Sequence, residues 1–355
     1  MRFRDRDSPV THEGLIFRAY GYDHPPDACF CDLEYASETI YKTDNPRAVR
    51  DGGPTRYYKF YFDGGLKFVR ERYPQYQISN KSLERLLVGV QKNQISRVVR
   101  PDDQLQVLMS TEGDPLIETL KGVLNTVIES STLRLEDFGV FGSLAHDFHN
   151  PLYSDLDLII YGKREMEELR ATLFELFEDG VLKNEFEDWN IEMPPAHWNF
   201  THYSKKEYGR YQKRKLLYAT HTSEELGRMV KMEFEPVRRW NEVQNEYQTT
   251  TLIENLGRVE AVVRVQSDEE AGFMPSIYPV ELEKIDTRID PQDLIRVVSY
   301  VEEFRLQIEE GETAMVRGDL ERVETTDAQF YQIVLSYGDD YFDQVLKVMP
   351  NEKIV

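Results

Sequence analysis

Asp155-Leu156-Asp157-Leu158-Ile159-Ile160-Tyr161 reads as a buried strand that nevertheless carries two carboxylates. Side chains alternate along a strand, so Asp155 and Asp157 share one face, with α-carbons roughly 6.5–7 Å apart. Leu156, Leu158 and Ile160 take the opposite face and anchor the strand in a core. Two like charges on an apolar strand are costly unless a cation neutralises them. The chain therefore has to fold so that this face opens onto a divalent cation or onto solvent.

Eleven residues upstream, Gly139-Val140-Phe141-Gly142-Ser143 ends a second apolar strand in a small turn. Glycine lets backbone amides approach a phosphate, the short helix that follows presents free N–H groups, and Ser143 adds a hydroxyl. Alone, a Gly-Ser pair is an ordinary turn and two strand acids are a solvated face. Together, strand, Gly-Ser, short helix, Asp-x-Asp and strand form a layout suited to a metal-bound triphosphate. Lys163, directly after the Asp strand, is a further candidate for phosphate contact, with plain surface as the alternative.

Phe141-Gly142-Ser143 followed by Asp155-Leu156-Asp157-Leu158 resembles the signature of the DNA polymerase β-type nucleotidyltransferase superfamily. The wording from Gly139 to Leu144 and from Ser154 to Gly162 is especially similar to predicted archaeal nucleotidyltransferases. Glu13–Phe17, His24-Pro25-Pro26 and Phe273–Tyr278 extend the likeness more faintly. The resemblance implies that Gly142 and Ser143 hold the triphosphate of an NTP. It implies that Asp155 and Asp157 bind two Mg²⁺ ions, with Mn²⁺ as a substitute, and that pyrophosphate leaves as the nucleoside monophosphate is transferred. It also implies a third carboxylate on a neighbouring strand, serving the metal and the acceptor proton. Glu233 and Glu235 on Met229–Glu235 are the candidates, with Glu235 also the candidate metal ligand. Lys231 on the same face and Pro236 fit a solvated edge instead, and Asp188 and Glu192 stand in reserve. The acceptor (an RNA end, a protein or a small molecule) is not legible. A module that binds nucleotide or RNA without turnover is the alternative.

The chain of 355 residues has a net charge of −21, which disfavours non-specific attraction to nucleic acid or an anionic membrane. The local exception is Lys205–Lys215, with six cations, one anion and interleaved tyrosines. It reads either as a solvated helix face or as a gathering surface for phosphate or RNA. No run approaches the ~18 apolar residues of a membrane helix. The charged N-terminus lacks an apolar signal core, so a cytoplasmic setting is expected. Cys29 and Cys31 fit two reduced core cysteines. His146 and His149 share a helix face but lack a third ligand nearby, so a surface role at a helix end is expected. Trp189, Trp198 and Trp240 are expected to pack. The P-loop and dinucleotide fingerprints are absent from the sequence.

The organisation expected is an α/β (α+β) multidomain chain. An N-terminal α+β domain spans 1–105, with its boundary somewhere in 76–110, a nucleotidyltransferase core spans 106–245, and a β-rich barrel or sandwich spans 246–355. Helices are expected at 64–73, 82–98, 116–130 and 165–178, the second from the spacing of Leu83, Leu86, Leu87 and Val90. Strand-like runs are read at 257–265, 295–308 and 313–323.

Overall fold

The computed structural model describes residues 1–51, 55–61, 63–187, 200–338 and 340–349. The chain mixes α and β structure and divides into two compact units. The first comprises Met1–Asn80, Glu84–Asn184 and Leu217–Tyr247; the second comprises Lys81–Leu83, Glu185–Leu216 and Gln248–Val355. The segment expected as a separate N-terminal domain thus shares a unit with the core, and residues 185–216 leave the core for the C-terminal strands.

In the first unit, β1 (Ser8–Thr11), β2 (Leu15–Ala19), β3 (Ala28–Ser37), β4 (Val49–Arg50) and β5 (Tyr57–Lys59) join β8 (Ile95–Val99) in the order β4-β5-β3-β2-β1-β8. β6 (Gln77–Asn80) pairs with β7 (Arg85–Gln91), which attaches to β3. Helix α1 (Gly64–Arg72) packs on β3. Phe17, Leu33, Cys29, Cys31 and Val90 form the core of this sheet, with both cysteines free and buried.

The helix expected over 82–98 is instead β7, a single turn and β8. Burial along β7 rises from the exposed Leu86 to the buried Val88, Gly89 and Val90, where the strand passes beside β3. Gly89 explains the choice. A β-carbon there would lie 2.7 Å from the Cys29 carbonyl oxygen, so the strand can pass β3 only because that side chain is missing.

A second sheet of the same unit has the order β11-β12-β13-β10-β9. Its strands are β9 (Phe138–Val140), β10 (Leu156–Tyr161), β11 (Lys183–Asn184), β12 (Tyr218–Ser223) and β13 (Arg228–Val237). β10 runs parallel to β13 and antiparallel to β9. Helix α2 (Pro101–Met109) packs on β9. Helix α3 (Pro115–Glu129) starts as the sequence predicts, Asp114 accepting hydrogen bonds from the Leu116 and Ile117 amides, with Pro115 in the first turn. Helix α4 (Gly142–Ala145) is one turn long, and α5 (Lys163–Glu178) buries Met166, Leu169, Leu173 and Leu176.

In the second unit, α6 (Lys205–Arg214) begins at a capping box between Ser204 and Glu207. Strands β14 (Thr250–Val265), β15 (Ser276–Ile285), β16 (Leu294–Ser299), β17 (Thr313–Thr325) and β18 (Gln329–Leu335) close into a five-stranded barrel, because β14 pairs with both β15 and β17. β16 and β18 run parallel, and β19 (Val345–Val348) adds to β17. The strand expected over 295–308 ends at Ser299 and gives way to a 3₁₀ turn at Glu302–Phe304. Among the described residues no helix is long and apolar enough to cross a membrane.

Candidate active site

The Gly-Ser turn and the Asp strand are fastened together at one point. The Phe141 amide donates to the Asp157 carbonyl oxygen at 3.0 Å. Gly142 then adopts φ +63°, and a β-carbon on it would meet Asp157 Oδ2 at 2.2 Å. Both the left-handed backbone and the close carboxylate require glycine. Ser143 is buried, and its Oγ lies 3.3 Å from Ser154 Oγ, which accepts from the Asn150 amide at 2.9 Å. Arg228 donates to the carbonyls of Pro151 (2.9 Å) and Ser154 (2.5 Å) and so fixes the loop that delivers Asp155.

Asp155 is exposed and Asp157 partly buried, while Leu156 and Leu158 are sealed in the core behind them. Across the parallel pair, Asp157 is in register with Glu233 and Ile159 with Glu235. Glu233 therefore sits beside Asp157 on the same face, about 4.8 Å away at the backbone. Glu235, one pleat further along, is 1 % exposed and lies 2.8 Å from the Arg6 guanidinium. Of the two glutamates, Glu233 is the one in register with Asp157, and Glu235 forms an internal ion pair.

Lys163 is not brought to this place. It opens α5 at the opposite end of β10, six residues beyond Asp157 and so about 20 Å along the strand. His146 caps the end of α4 and is partly buried, its Nε2 lying 3.1 Å from Ser8 Oγ and its ring against Tyr35 and Phe148. His149 pairs with Asp114 at 3.0 Å. The basic segment belongs to the second unit, where its C-terminal end is tied down. Lys213 pairs with Glu187, Arg214 with Glu309 and Glu312, and the buried Lys215 donates to the Glu303 carbonyl. Tyr211 is buried as well. Trp240 packs beneath Arg4 and Arg2. Asp188, Trp189, Glu192 and Trp198 lie outside the described residues.

The N-terminal sheet supplies groups that the sequence did not flag. Burial pushes the Asp157 carboxyl up to about 6; Glu34 and Asp155 push the same way, and Lys59 and Arg50 oppose them. Burial also penalises the Glu34 carboxylate, but Lys59, Arg18 and His146 together hold it below its ordinary range. A cleft beside Gly142 is lined by Arg6, Arg18, Glu34, Phe141 and His146.

Residues 121–220 match the family model for the nucleotidyltransferase domain. The chain carries a nucleotidyltransferase domain. The match runs from α3 through the Gly142–Ser143 turn and both aspartates to β12. The whole chain is similar to an uncharacterized protein, MJ1086, of Methanocaldococcus jannaschii, at 26% identity over 98% of this chain and 99% of that one. No solved structure matches.

Among the described residues no three His, Cys, Asp or Glu side chains form a ready cage for a metal. Mg²⁺ binds through one or two carboxylates and completes its shell with phosphates and water. Asp155 and Asp157, on one face and beside the Gly142 turn, fit that demand. The turn of the nucleotidyltransferase domain also yields a direct test. Gly142→Ala is expected to cost about 1–3 kcal/mol of stability, from the left-handed backbone and the displaced Asp157 carboxylate. Thermal melts and Mg²⁺-NTP titrations check it: both should fall, and an unchanged affinity would separate the turn from nucleotide binding.

Proposed function

We propose that this protein transfers a nucleoside monophosphate from an NTP to an acceptor hydroxyl, releasing pyrophosphate, in a cytoplasmic setting. The observation that carries this reading is the seating of Asp157 Oδ2 against the backbone of Gly142, which supports taking the carboxylate pair and the Gly-Ser turn together as one site. Asp155 and Asp157 would hold Mg²⁺ or Mn²⁺, two ions in the complete site, which when bound supply charge neutralisation for the entering and departing oxygens. The Gly142–Ser143 turn binds and orients the phosphates, placing the α-phosphorus toward the Asp face. The acceptor oxygen bonds to that phosphorus as the bond to the pyrophosphate oxygen breaks. Glu233, in register with Asp157, accepts the acceptor proton.

The test is incubation with each α-labelled NTP and Mg²⁺ or Mn²⁺, against separate RNA, protein and small-molecule fractions. Metal-dependent transfer of label with release of pyrophosphate supports the reading and names the acceptor class. Nucleotide that is bound but never consumed would identify a binding module instead, and absence of both would remove the nucleotide altogether.

A further inference from the structure

The nucleotidyltransferase site has four carboxylates in its neighbourhood (Asp155, Asp157, Glu233 and Glu34), and a triphosphate must approach them within a chain of charge −21. Cations are therefore required, and the core contributes few of them. Lys163 is at the far end of β10, Arg228 holds the carbonyls of Pro151 and Ser154, and Arg6 is committed to Glu235.

The N-terminal sheet provides an alternative through a local irregularity. On β2 and β3, Ile16 is in register with Tyr35 and Phe17 with Leu33, so Glu34 is an extra residue, a β-bulge. A bulge turns two consecutive side chains toward the same side and is a common device beside active sites. Here it turns Glu34 and Tyr35 away from the core formed by Leu33 and Ala36. Glu34 lines the cleft at Gly142 and His146. The Tyr35 ring packs on Phe148 (4.9 Å) and His146 (5.9 Å), directly after α4. Lys59 is opposite Tyr35 in the β3–β5 ladder and shares its face, as does Tyr57, which packs on Phe148 at 5.4 Å.

Lys59 Nζ lies 5.9 Å from the Tyr35 ring and only loosely against Glu34, at 3.8 Å, with its side chain 30% exposed. The Arg50 guanidinium also lies over the Tyr35 ring, 5.9 Å from its centre, and its Nε has no hydrogen-bond partner. We propose that Lys59, seated by the bulge and flanked by Arg50, is the cation that receives the triphosphate of the bound nucleotide at the Gly142–Ser143 turn. The assignment rests on the nucleotidyltransferase reading above. It makes the N-terminal sheet part of the nucleotide site. A lysine suits the role: a compact, mobile point charge meets phosphate oxygens without the fixed geometry of a guanidinium fork.

The experiment is calorimetric titration of the full chain with an α,β-methylene NTP in Mg²⁺, and with the matching NMP. Lys59→Ala should weaken the triphosphate analogue about tenfold and the NMP less than about twofold, while Lys59→Arg stays within about threefold of the parent. Lys59→Gln, which keeps the stem packed on Tyr35, should behave like Lys59→Ala, with thermal melts showing that each variant folds. Equal affinity for the triphosphate in Lys59→Ala and the parent overturns the assignment and leaves the nucleotidyltransferase reading standing. Equal loss of NMP and triphosphate overturns it too, since the effect would then be structural. A parent protein that binds no NTP at all would take down both readings.

Discussion

Asp157→Asn is expected to reduce metal-dependent nucleotidyl transfer by about 10³-fold while raising the melting temperature of the metal-free protein at pH 8. The first effect follows from the site. An amide cannot supply the charge that a divalent cation needs next to phosphate, and Asp155 alone would have to hold the metal. The second follows from linkage. Burial raises the Asp157 carboxyl from 3.8 to about 6, so the folded protein holds this proton more tightly than the unfolded chain does. The stability it contributes is complete below about pH 4 and is lost as pH rises through about 6. At pH 8 the ionised carboxylate, close to Glu34 and Asp155, is a net cost in the absence of metal. Removing its charge should return about 1–2 kcal/mol, an amount reduced for its partial access to solvent. The gain should vanish near pH 4, where both proteins are neutral at this position. Melts in EDTA across pH 4–8, alongside label-transfer assays, measure both effects. A variant that melts lower than the parent at pH 8 would refute the burial account, and retained transfer would refute the assigned chemistry.

What could be read in the sequence was what depends on short range. Alternation along Asp155–Ile160 was enough to place two acids on one face and three apolar residues behind them. The choice between Glu233 and Glu235 was not legible, because both have the same parity on their strand. It depends on the register of two strands separated by a long stretch of chain and on an arginine near the N-terminus. Lys59 was hidden for a related reason. A bulge at Glu34 reverses the parity of β3, so its alternating pattern gives the wrong face from Tyr35 onward, and with it the face that Lys59 shares. The helical spacing over 82–98 was true of Leu83, Leu86, Leu87 and Val90 but irrelevant, since the approach of Gly89 to Cys29 decided that segment. In the Lys205–Lys215 cluster, the partners of Lys213 and Arg214 were not legible because Glu187, Glu309 and Glu312 lie elsewhere in the sequence.

Arg6→Met is expected to destabilise the protein by about 3–5 kcal/mol, the cost of leaving a buried carboxylate uncompensated. Arg6 is 3% exposed and Glu235 1%, and their 2.8 Å contact joins the N-terminal segment to β13. Asp5 lies 3.5 Å from the same guanidinium; burial raises its carboxyl and Arg6 pulls it down, so the substitution strands two acids. Removing both charges of the main pair, in Arg6→Met/Glu235→Leu, should restore most of the loss, because an apolar pair of similar volume avoids the desolvation penalty. Denaturant unfolding of the two single variants and the double gives the coupling directly. The same set separates the two glutamates. Glu235→Gln should lose stability and keep most of its transfer activity, whereas Glu233→Gln, half-exposed beside Asp157, should lose transfer with its melting temperature little changed. If Arg6→Met costs less than about 1 kcal/mol and Glu235→Gln abolishes transfer, Glu235 rather than Glu233 is the third acid, and Arg6 is a cation of the site instead of a clamp on β13.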